Sequence, residues 1–169
     1  QKDSDSLEGL GVDYLFTPDE NYIYDNNFVN IISSGNIGKK YEGQSRPGHF
    51  DGVLTVVNRL FELVKPQKAI FGKKDAQQLF LIKDYLRCSN KNIEIFDGEI
   101  IRDKNGLALS SRNLLLSDSG RVIASGLKRH LDILKQTFIE TRAIKTSIKK
   151  TLETNKNSQL NIDYPVSYT

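Results

Sequence analysis

The sequence predicts an α/β fold with a parallel sheet, followed by a smaller α+β unit that contains a helical hairpin. Between residues 53 and 96, segments with helical periodicity alternate with short apolar runs, which is typical of parallel strands joined by crossover helices. From Ser117 onward, two successive segments have helical periodicity. We therefore expect a first domain over residues 1–101 and a second over residues 102–169.

The N-terminal part contains two apolar runs separated by polar segments. The runs at residues 12–16 and 28–32 predict strands, and Pro18 ends the first of them. Polar or glycine-bearing composition predicts irregular chain over residues 1–8, 21–27 and 36–48.

The alternating region begins with a helix whose apolar side chains share one face between residues 53 and 64, and Pro66 ends it. A buried strand over residues 68–71, a helix over residues 75–87 and a strand over residues 93–96 follow. Ligands of parallel sheets bind outside the carboxyl ends of the strands, so the turn after the first strand is a candidate site.

The C-terminal part has a different character. Ser117 is expected to cap a helix whose apolar face extends to Phe138. A second helix is expected to begin at Thr141, and a short strand is expected near Ile162. These elements predict the helical hairpin of the smaller unit.

A glycine, two lysines and an aspartate lie at the predicted strand-to-helix turn, at Gly72, Lys73, Lys74 and Asp75. Glycine permits close backbone approach, and the start of a helix offers free N–H groups and positive charge, so the turn suits a phosphate. The alternative is structural: Asp75 and Gln78 have the spacing of a capping box, and lysines in a loop are usually solvated.

A second polar stretch follows the predicted tight turn at Asn105-Gly106. Ser110, Ser111 and Arg112 lie in a segment without strand or helix periodicity. Hydroxyl groups and the guanidinium fork suit phosphate oxygens. The alternative is that the serines cap a helix and that Arg112 is a surface cation.

Composition excludes several function classes. The chain has 169 residues, with 24 Lys and Arg against 21 Asp and Glu, and a net charge of +3 does not predict nucleic-acid binding. One cysteine excludes an internal disulfide and fits a reducing compartment, and two histidines without a cysteine cluster do not predict zinc. No run has the length of a membrane span and no signal peptide is visible, so we expect a cytoplasmic protein.

Three separated motifs resemble those of the pantothenate synthetase family, in the same order and at the same spacing. They are Arg-Pro-Gly-His-Phe at 46–50, Gly-Lys-Lys-Asp-Ala-Gln-Gln at 72–78 and Leu-Ser-Ser-Arg-Asn at 109–113. The resemblance extends over about residues 9–117. After Ser117, only helical periodicity and residues 162–164 are similar to the family.

The resemblance implies a Rossmann-like parallel sheet of the nucleotidyltransferase type, here incomplete. It implies a ligase of pantothenate biosynthesis that condenses pantoate with β-alanine through a pantoyl adenylate. ATP would be a substrate, converted to AMP and pyrophosphate, and Mg²⁺ would bind its phosphates. The family is typically homodimeric, so a second copy of the chain is an expected partner.

The resemblance also implies roles for individual residues. Gln78 would bind pantoate, and Asp75 is a candidate magnesium ligand. The catalytic residues would be Lys74, Ser110, Ser111 and Arg112. Contacts with ATP would come from Gly72, Lys73, Lys74, Asp75, Ile101, Leu109, Ser110, Ser111 and Arg112. His49 belongs to a family motif, and a purely structural role for it stays open.

One family motif has no counterpart in this sequence. Neither His49 nor His130 lies in the His-x-Gly-His pattern that holds ATP phosphates in the family. We therefore expect the chain to lack the family's N-terminal part and C-terminal end, and to carry half of an active site. The alternatives are a non-catalytic fragment or dimerisation module, and another nucleotidyltransferase of the same fold, which the Gln77-Gln78 pair disfavours.

Overall fold

The computed structural model describes residues 2–24 and 30–155. The α-helices of this part are α1 (Lys2–Gly9), α2 (Glu20–Ile23), α3 (Glu42–Ser45), α4 (His49–Val64), α5 (Ala76–Cys88), α6 (Asp118–Thr141) and α7 (Ile144–Asn155). Its strands are β1 (Lys68–Gly72) and β2 (Glu94–Gly98). Short 3₁₀ helices span Ile37–Lys39, Lys73–Asp75 and Ser111–Leu115. None of the described helices combines the length and hydrophobicity that a membrane crossing requires.

The two strands are parallel, and helix α5 forms the crossover between them. The register pairs Lys68 with Glu94 at one end and Gly72 with Gly98 at the other. Parallel neighbours need such a crossover because the chain must return to the same end of the sheet. The predicted order of helix, strand, helix and strand is confirmed.

The hydrophobic core lies where α4 and α5 pack together against the sheet. Apolar residues at helical spacing on α4 meet the apolar face of α5, and Phe61 also contacts Phe71 of β1 edge to face at 6.2 Å between ring centroids. The buried members are Phe50, Leu54, Val57, Phe61, Leu81, Ile82 and Leu86. This packing fixes the carboxyl end of β1, where the candidate site begins.

The N-terminal region differs from its prediction. Residues 2–9 form a helix, α2 replaces part of the predicted loop over residues 21–27, and residues 12–16 form no strand. The described chain places no strand beside residues 12–16, so their backbone has no ladder to join, and Tyr14 is 93% exposed. Residues 30–32 also form no strand, and Phe28 and Val29 lie outside the described residues.

The segment over residues 36–48 is less irregular than predicted. It contains the 3₁₀ helix Ile37–Lys39 and the short helix α3. Gly48 follows with φ of 77°, a left-handed conformation that favours glycine, and it lies immediately before α4. Local turns thus satisfy backbone groups that a fully irregular loop would leave to water.

The predicted helical hairpin is present. The Ser117 hydroxyl accepts a hydrogen bond from the Gly120 N–H at 3.1 Å and caps α6, as expected. The second helix begins at Ile144 rather than at Thr141, because Thr141 is the last residue of α6 and its hydroxyl accepts from the Ala143 N–H. The strand predicted near Ile162 lies outside the described residues.

Asp51 anchors the segment that precedes α4. Its Oδ1 accepts hydrogen bonds from the Ser34 hydroxyl at 2.6 Å and from the Ser34 N–H at 2.7 Å. These bonds stabilise the carboxylate and hold the pKa of Asp51 below its usual value. A depressed folded-state pKa contributes stability at neutral pH that is lost as pH falls through it.

We therefore expect Asp51→Asn to be less stable than the wild type at neutral pH, because the amide keeps an acceptor and loses the charge. The difference in unfolding free energy should shrink as pH falls below the usual aspartate range. Urea denaturation of both proteins at a series of pH values measures this difference. A difference in unfolding free energy that is independent of pH would show that the charge of Asp51 does not contribute to stability.

Candidate functional site

The first candidate motif lies at the carboxyl end of β1, as predicted. The strand ends at Gly72, the 3₁₀ helix Lys73–Asp75 follows, and α5 begins at Ala76. A Cβ atom at Gly72 would have no neighbouring atom within 4 Å. The backbone at this turn is therefore open to a ligand.

The two lysines of the turn have different surroundings. The Lys73 ammonium donates to the carboxylate of Glu99, just beyond β2, and this hydrogen bond raises the pKa of Lys73. Among the described residues, Lys74 forms an ion pair only with the neighbouring Asp75, at 3.3 Å between Nζ and Oδ1 and on the exposed surface. Lys74 is therefore the cation of this turn that is freer to meet an anion.

The capping-box alternative is wrong. Asp75 occupies the N-cap position of α5, yet its side chain makes no capping hydrogen bond. Gln78 is half-buried, and within the described chain its amide has no hydrogen-bond partner. Asp75 immediately precedes α5 and Gln78 lies in its first turn, and neither side chain caps the start of the helix.

Gln77 is a structural residue that the sequence reasoning missed. Its side chain is buried, with 6% of the residue exposed, and Nε2 donates to the carbonyl oxygens of Ile37 (3.0 Å) and Lys40 (2.9 Å). Oε1 accepts from the Glu42 N–H at 3.3 Å. The sequence does contain a signal for this role, because Gln77 is a polar residue on the apolar face of α5, one turn before Leu81.

Glu42 extends this contact to the Arg-Pro-Gly-His motif. Its carboxylate Oε1 lies 2.6 Å from Nη1 of Arg46 and 3.8 Å from Nε2 of His49. His49 is the first residue of α4 and lies beside Phe50, with 4.9 Å between ring centroids. The structure thus brings two of the three motifs together through Gln77 and Glu42.

Replacing Gln77 with leucine should lower the unfolding free energy by about 3 kcal/mol, because each of three hydrogen bonds contributes about 1 kcal/mol. Leucine fills a similar volume and leaves the loop carbonyl groups without their donors. Thermal or urea denaturation measures the loss. The matched control is Gln67→Leu at an exposed position before β1, which should change stability by less than about 0.5 kcal/mol. Equal effects from the two changes would contradict the assignment.

The second candidate motif follows a short hairpin. Arg102 and Ala108 form an antiparallel bridge, and the Leu109 N–H donates to the Ile101 carbonyl at 2.9 Å. Gly106 has a φ of 85°, a left-handed conformation that favours glycine, and its N–H donates to the Asp103 carbonyl at 3.0 Å. Asn105 does not have positive φ, so the turn is not the predicted two-residue Asn-Gly turn. Ile101 and Leu109 are therefore adjacent at the base of this hairpin.

The segment after the hairpin is more regular than expected. Ser111–Leu115 forms a 3₁₀ helix, and the Ser110 hydroxyl caps it by accepting from the Arg112 N–H at 3.3 Å. The expectation of a segment without helix is therefore wrong, and the capping alternative is confirmed for Ser110. The side chains of Ser111 and Arg112 remain exposed.

The two candidate motifs lie at the same end of the sheet. The ion pair between Lys73 and Glu99 joins the ends of the strands, and Ile101 follows Glu99 by only two residues, a reach of about 7 Å. Within the described chain, no hydrogen bond or ion pair directly joins the turn at 72–75 to residues 109–112. Ile101, and with it the adjacent Leu109, therefore lies only a short stretch of chain beyond the end of β2.

A protein-built metal cage is absent from the described part of the chain, where no three His, Cys, Asp or Glu side chains converge. Asp75 offers one exposed carboxylate at the turn. Mg²⁺ commonly binds through one or two carboxylates together with substrate phosphates, so the donor set fits this ion only with a phosphate ligand present.

A parallel strand–helix–strand unit defines an α/β protein, and the cations beyond the carboxyl ends of its strands form a candidate anion site. The family follows from sequence comparison. The sequence model of the pantoate–β-alanine ligase family matches residues 1–167, and the chain belongs to this family.

Known relatives agree with this assignment. A pantothenate synthetase of Caldicellulosiruptor bescii is 41% identical over 166 residues, which are 97% of this chain and 59% of that relative. A pantothenate synthetase of Vesicomyosocius okutanii is 41% identical over 153 residues, covering 90% of this chain and 54% of the relative. The chain thus spans little more than half the length of these relatives.

Solved structures show the same fold. The pantothenate synthetase of Thermus thermophilus superposes with a TM-score of 0.86 at 36% identity, over 92% of this chain and 56% of that one. The Francisella tularensis pantoate–β-alanine ligase, complexed with β,γ-ATP and β-alanine, gives 0.71 at 38% identity, over 89% and 57%. The predicted nucleotidyltransferase-type α/β fold, incomplete in this chain, is confirmed.

Proposed function

We propose that the protein to which this chain belongs condenses pantoate with β-alanine at the expense of ATP. A carboxylate oxygen of pantoate attacks the α-phosphorus, the bond to the β-phosphate oxygen breaks, and pyrophosphate leaves. The β-alanine nitrogen then attacks the acyl carbon of pantoyl adenylate, AMP leaves and the amine loses a proton. The family match over residues 1–167 carries this proposal.

The turn after β1 would supply the first half of the phosphate site. Lys74 is exposed, and its ion pair with Asp75 at 3.3 Å is a surface contact, so it would be free to stabilise the charge that develops at the α-phosphate. Gly72 and Lys73 would contact ATP from the same turn. Asp75 would be the protein ligand of a phosphate-bound Mg²⁺, which neutralises phosphate charge when present.

The hairpin and the capped 3₁₀ helix would supply the second half. Ile101 and Leu109, adjacent at the base of the hairpin, would contact the nucleotide. Ser111 and Arg112 present exposed donors, and Ser110 positions the Arg112 backbone through its cap. No covalent enzyme intermediate is needed, so alignment and charge stabilisation are the work of these residues.

Gln78 would bind pantoate. It lies one turn into α5, half-buried, and its amide can both donate to a carboxylate and accept from a hydroxyl group. We expect Gln78→Glu to raise the KM for pantoate, because glutamate repels the substrate carboxylate, while the unfolding free energy stays unchanged.

Steady-state kinetics of the active enzyme with pantoate as the varied substrate measure this effect. Gln67→Glu, which adds the same charge at an exposed position before β1, is the matched control. A loss of stability without any change in KM would assign Gln78 a structural role instead.

We also propose the division into units over residues 1–101 and 102–169, since α6 and α7 pack mainly against each other. A homodimer is proposed from family resemblance. A second candidate function is a non-catalytic interaction module, which the exposed apolar segment at residues 12–16 favours.

Incubation of this chain with ATP and labelled pantoate separates the two functions. Formation of labelled pantoyl adenylate and pyrophosphate would assign the first half-reaction to these residues. Adenylate formation only after the N-terminal segment of a relative is added would show that the residues of this chain form one part of a ligase site. Absence under both conditions would contradict the ligase assignment for this chain.

A further inference from the structure

A cavity of about 910 Å³ is lined by residues of α5 and α6 and also by Lys73 of the turn before α5. Its floor is apolar and comes from both helices. Phe80 projects from α5, and Leu131, Phe138 and Ile139 project from α6. Ile139 remains 47% exposed, so this wall presents apolar surface to solvent. The size falls within the range of roughly 300–1,000 Å³ that is usual for small-molecule sites.

Four cations surround this floor, and two of them lack a carboxylate partner in the described chain. Lys83 pairs with Asp97 at 2.5 Å, and Lys73 pairs with Glu99. Lys135 and Arg142 make no such pair. Lys135 lies on α6, and Arg142 follows the last residue of this helix as its C-cap. The rim is therefore positively charged above an apolar floor.

The cavity is separate from the candidate ATP and pantoate positions on α5. Ala76, Leu79 and Lys83 line it, and at 100° per residue they share one face of the helix. Gln78 lies on the opposite face by the same geometry. Of the residues assigned to ATP and pantoate, only Lys73, at the turn before the helix, also lines the cavity.

We propose that this cavity is a binding site for a small amphipathic anion, an acyl chain that ends in a single carboxylate. The chain lies along the floor formed by Phe80 and the α6 side chains, where removal of apolar surface from water favours binding. The carboxylate meets Lys135 or Arg142, whose charges have no internal partner. This site does not depend on the proposed ligase activity.

The test is a titration of the full chain with dansylundecanoate, a fluorescent acyl carboxylate, with its methyl ester as the neutral comparison. The carboxylate should bind more tightly than the ester. The double change Lys135→Glu and Arg142→Glu should weaken binding of the carboxylate about tenfold, since it replaces two favourable charge contacts by repulsive ones. Lys150→Glu, on the exposed surface of α7, is the charge-matched control and should leave affinity within twofold.

A second pair of variants tests whether the apolar floor contributes to binding. Ile139→Gln should weaken binding of both probes, while Leu15→Gln, in the exposed N-terminal segment, should change neither. Circular dichroism verifies that each variant keeps its helix content. Equal affinity for acid and ester, equal effects of Lys150→Glu and the double change, or a larger effect of Leu15→Gln than of Ile139→Gln would each overturn the proposal.

Discussion

Replacing Lys74 with alanine is expected to cost the active enzyme about 2–4 kcal/mol of transition-state stabilisation, the usual loss for one preorganised charge. Lys74 lies on the turn beyond β1, where its one ion pair with the described part of the chain is an exposed contact of 3.3 Å with Asp75. Exposed pairs of this kind contribute about 0–1 kcal/mol to stability. The unfolding free energy should therefore barely change while kcat/KM falls.

The matched control for this prediction is Lys68→Ala. Lys68 lies on the same strand at its opposite end, with an exposed contact of 3.9 Å to Glu94. The substitution Lys68→Ala removes an equal charge far from the proposed phosphate position, so kcat/KM should stay close to the wild-type value. Near-normal turnover of Lys74→Ala, or an equal loss in the control, would show that Lys74 is not a catalytic residue.

The elements that the sequence predicted best are those whose pattern is local. Helix α4 was predicted because apolar residues between 53 and 64 recur on one face, and Pro66 limits its length. The parallel pair β1 and β2 followed from its crossover spacing, since two strands separated by a helix return in the same direction. The same pattern therefore predicts correctly that the turn at Gly72 connects β1 to α5.

The N-terminal strand could not be predicted from its own composition. Residues 12–16 have strand-forming side chains, yet a strand is stabilised by ladder hydrogen bonds from a neighbour that the pattern does not name. In the described chain the pair β1 and β2 has no further strand beside it. Exposure of Tyr14 and Phe16 is the consequence.

The hydrogen bonds that connect the motifs could not be predicted from sequence patterns either. Gln77 bonds to Ile37, Lys40 and Glu42, which lie 35–40 residues away in the chain. Periodicity marks Gln77 only as a polar residue on an apolar face, and its partners are set by how the loop folds over α5. The roles of Lys74 and Gln78 came from family resemblance, and they stay predictions until the variants are measured.

Arg112→Ala is expected to lower kcat/KM of the active enzyme by roughly 100- to 1,000-fold, and Arg112→Lys by less but still substantially. The guanidinium fork holds two phosphate oxygens at once, whereas lysine keeps the charge and loses the fork. The side chain is exposed, and its backbone N–H donates to the Ser110 hydroxyl at 3.3 Å. Because the cap uses the backbone N–H of Arg112 and not its side chain, both variants should retain the 3₁₀ helix Ser111–Leu115 and the stability of the wild type.

Kinetics of the two variants are compared with Arg121→Ala, an exposed arginine in the first turns of α6, which should leave activity unchanged. Crystals of the wild type and of Arg112→Lys soaked with ATP provide a direct test of the contact. The wild type should show the guanidinium of Arg112 on two phosphate oxygens, and the lysine variant a single contact. If Arg112 points to solvent in the ATP complex and both variants turn over normally, the residue is a surface cation beside a capped helix and the second half of the phosphate site lies elsewhere.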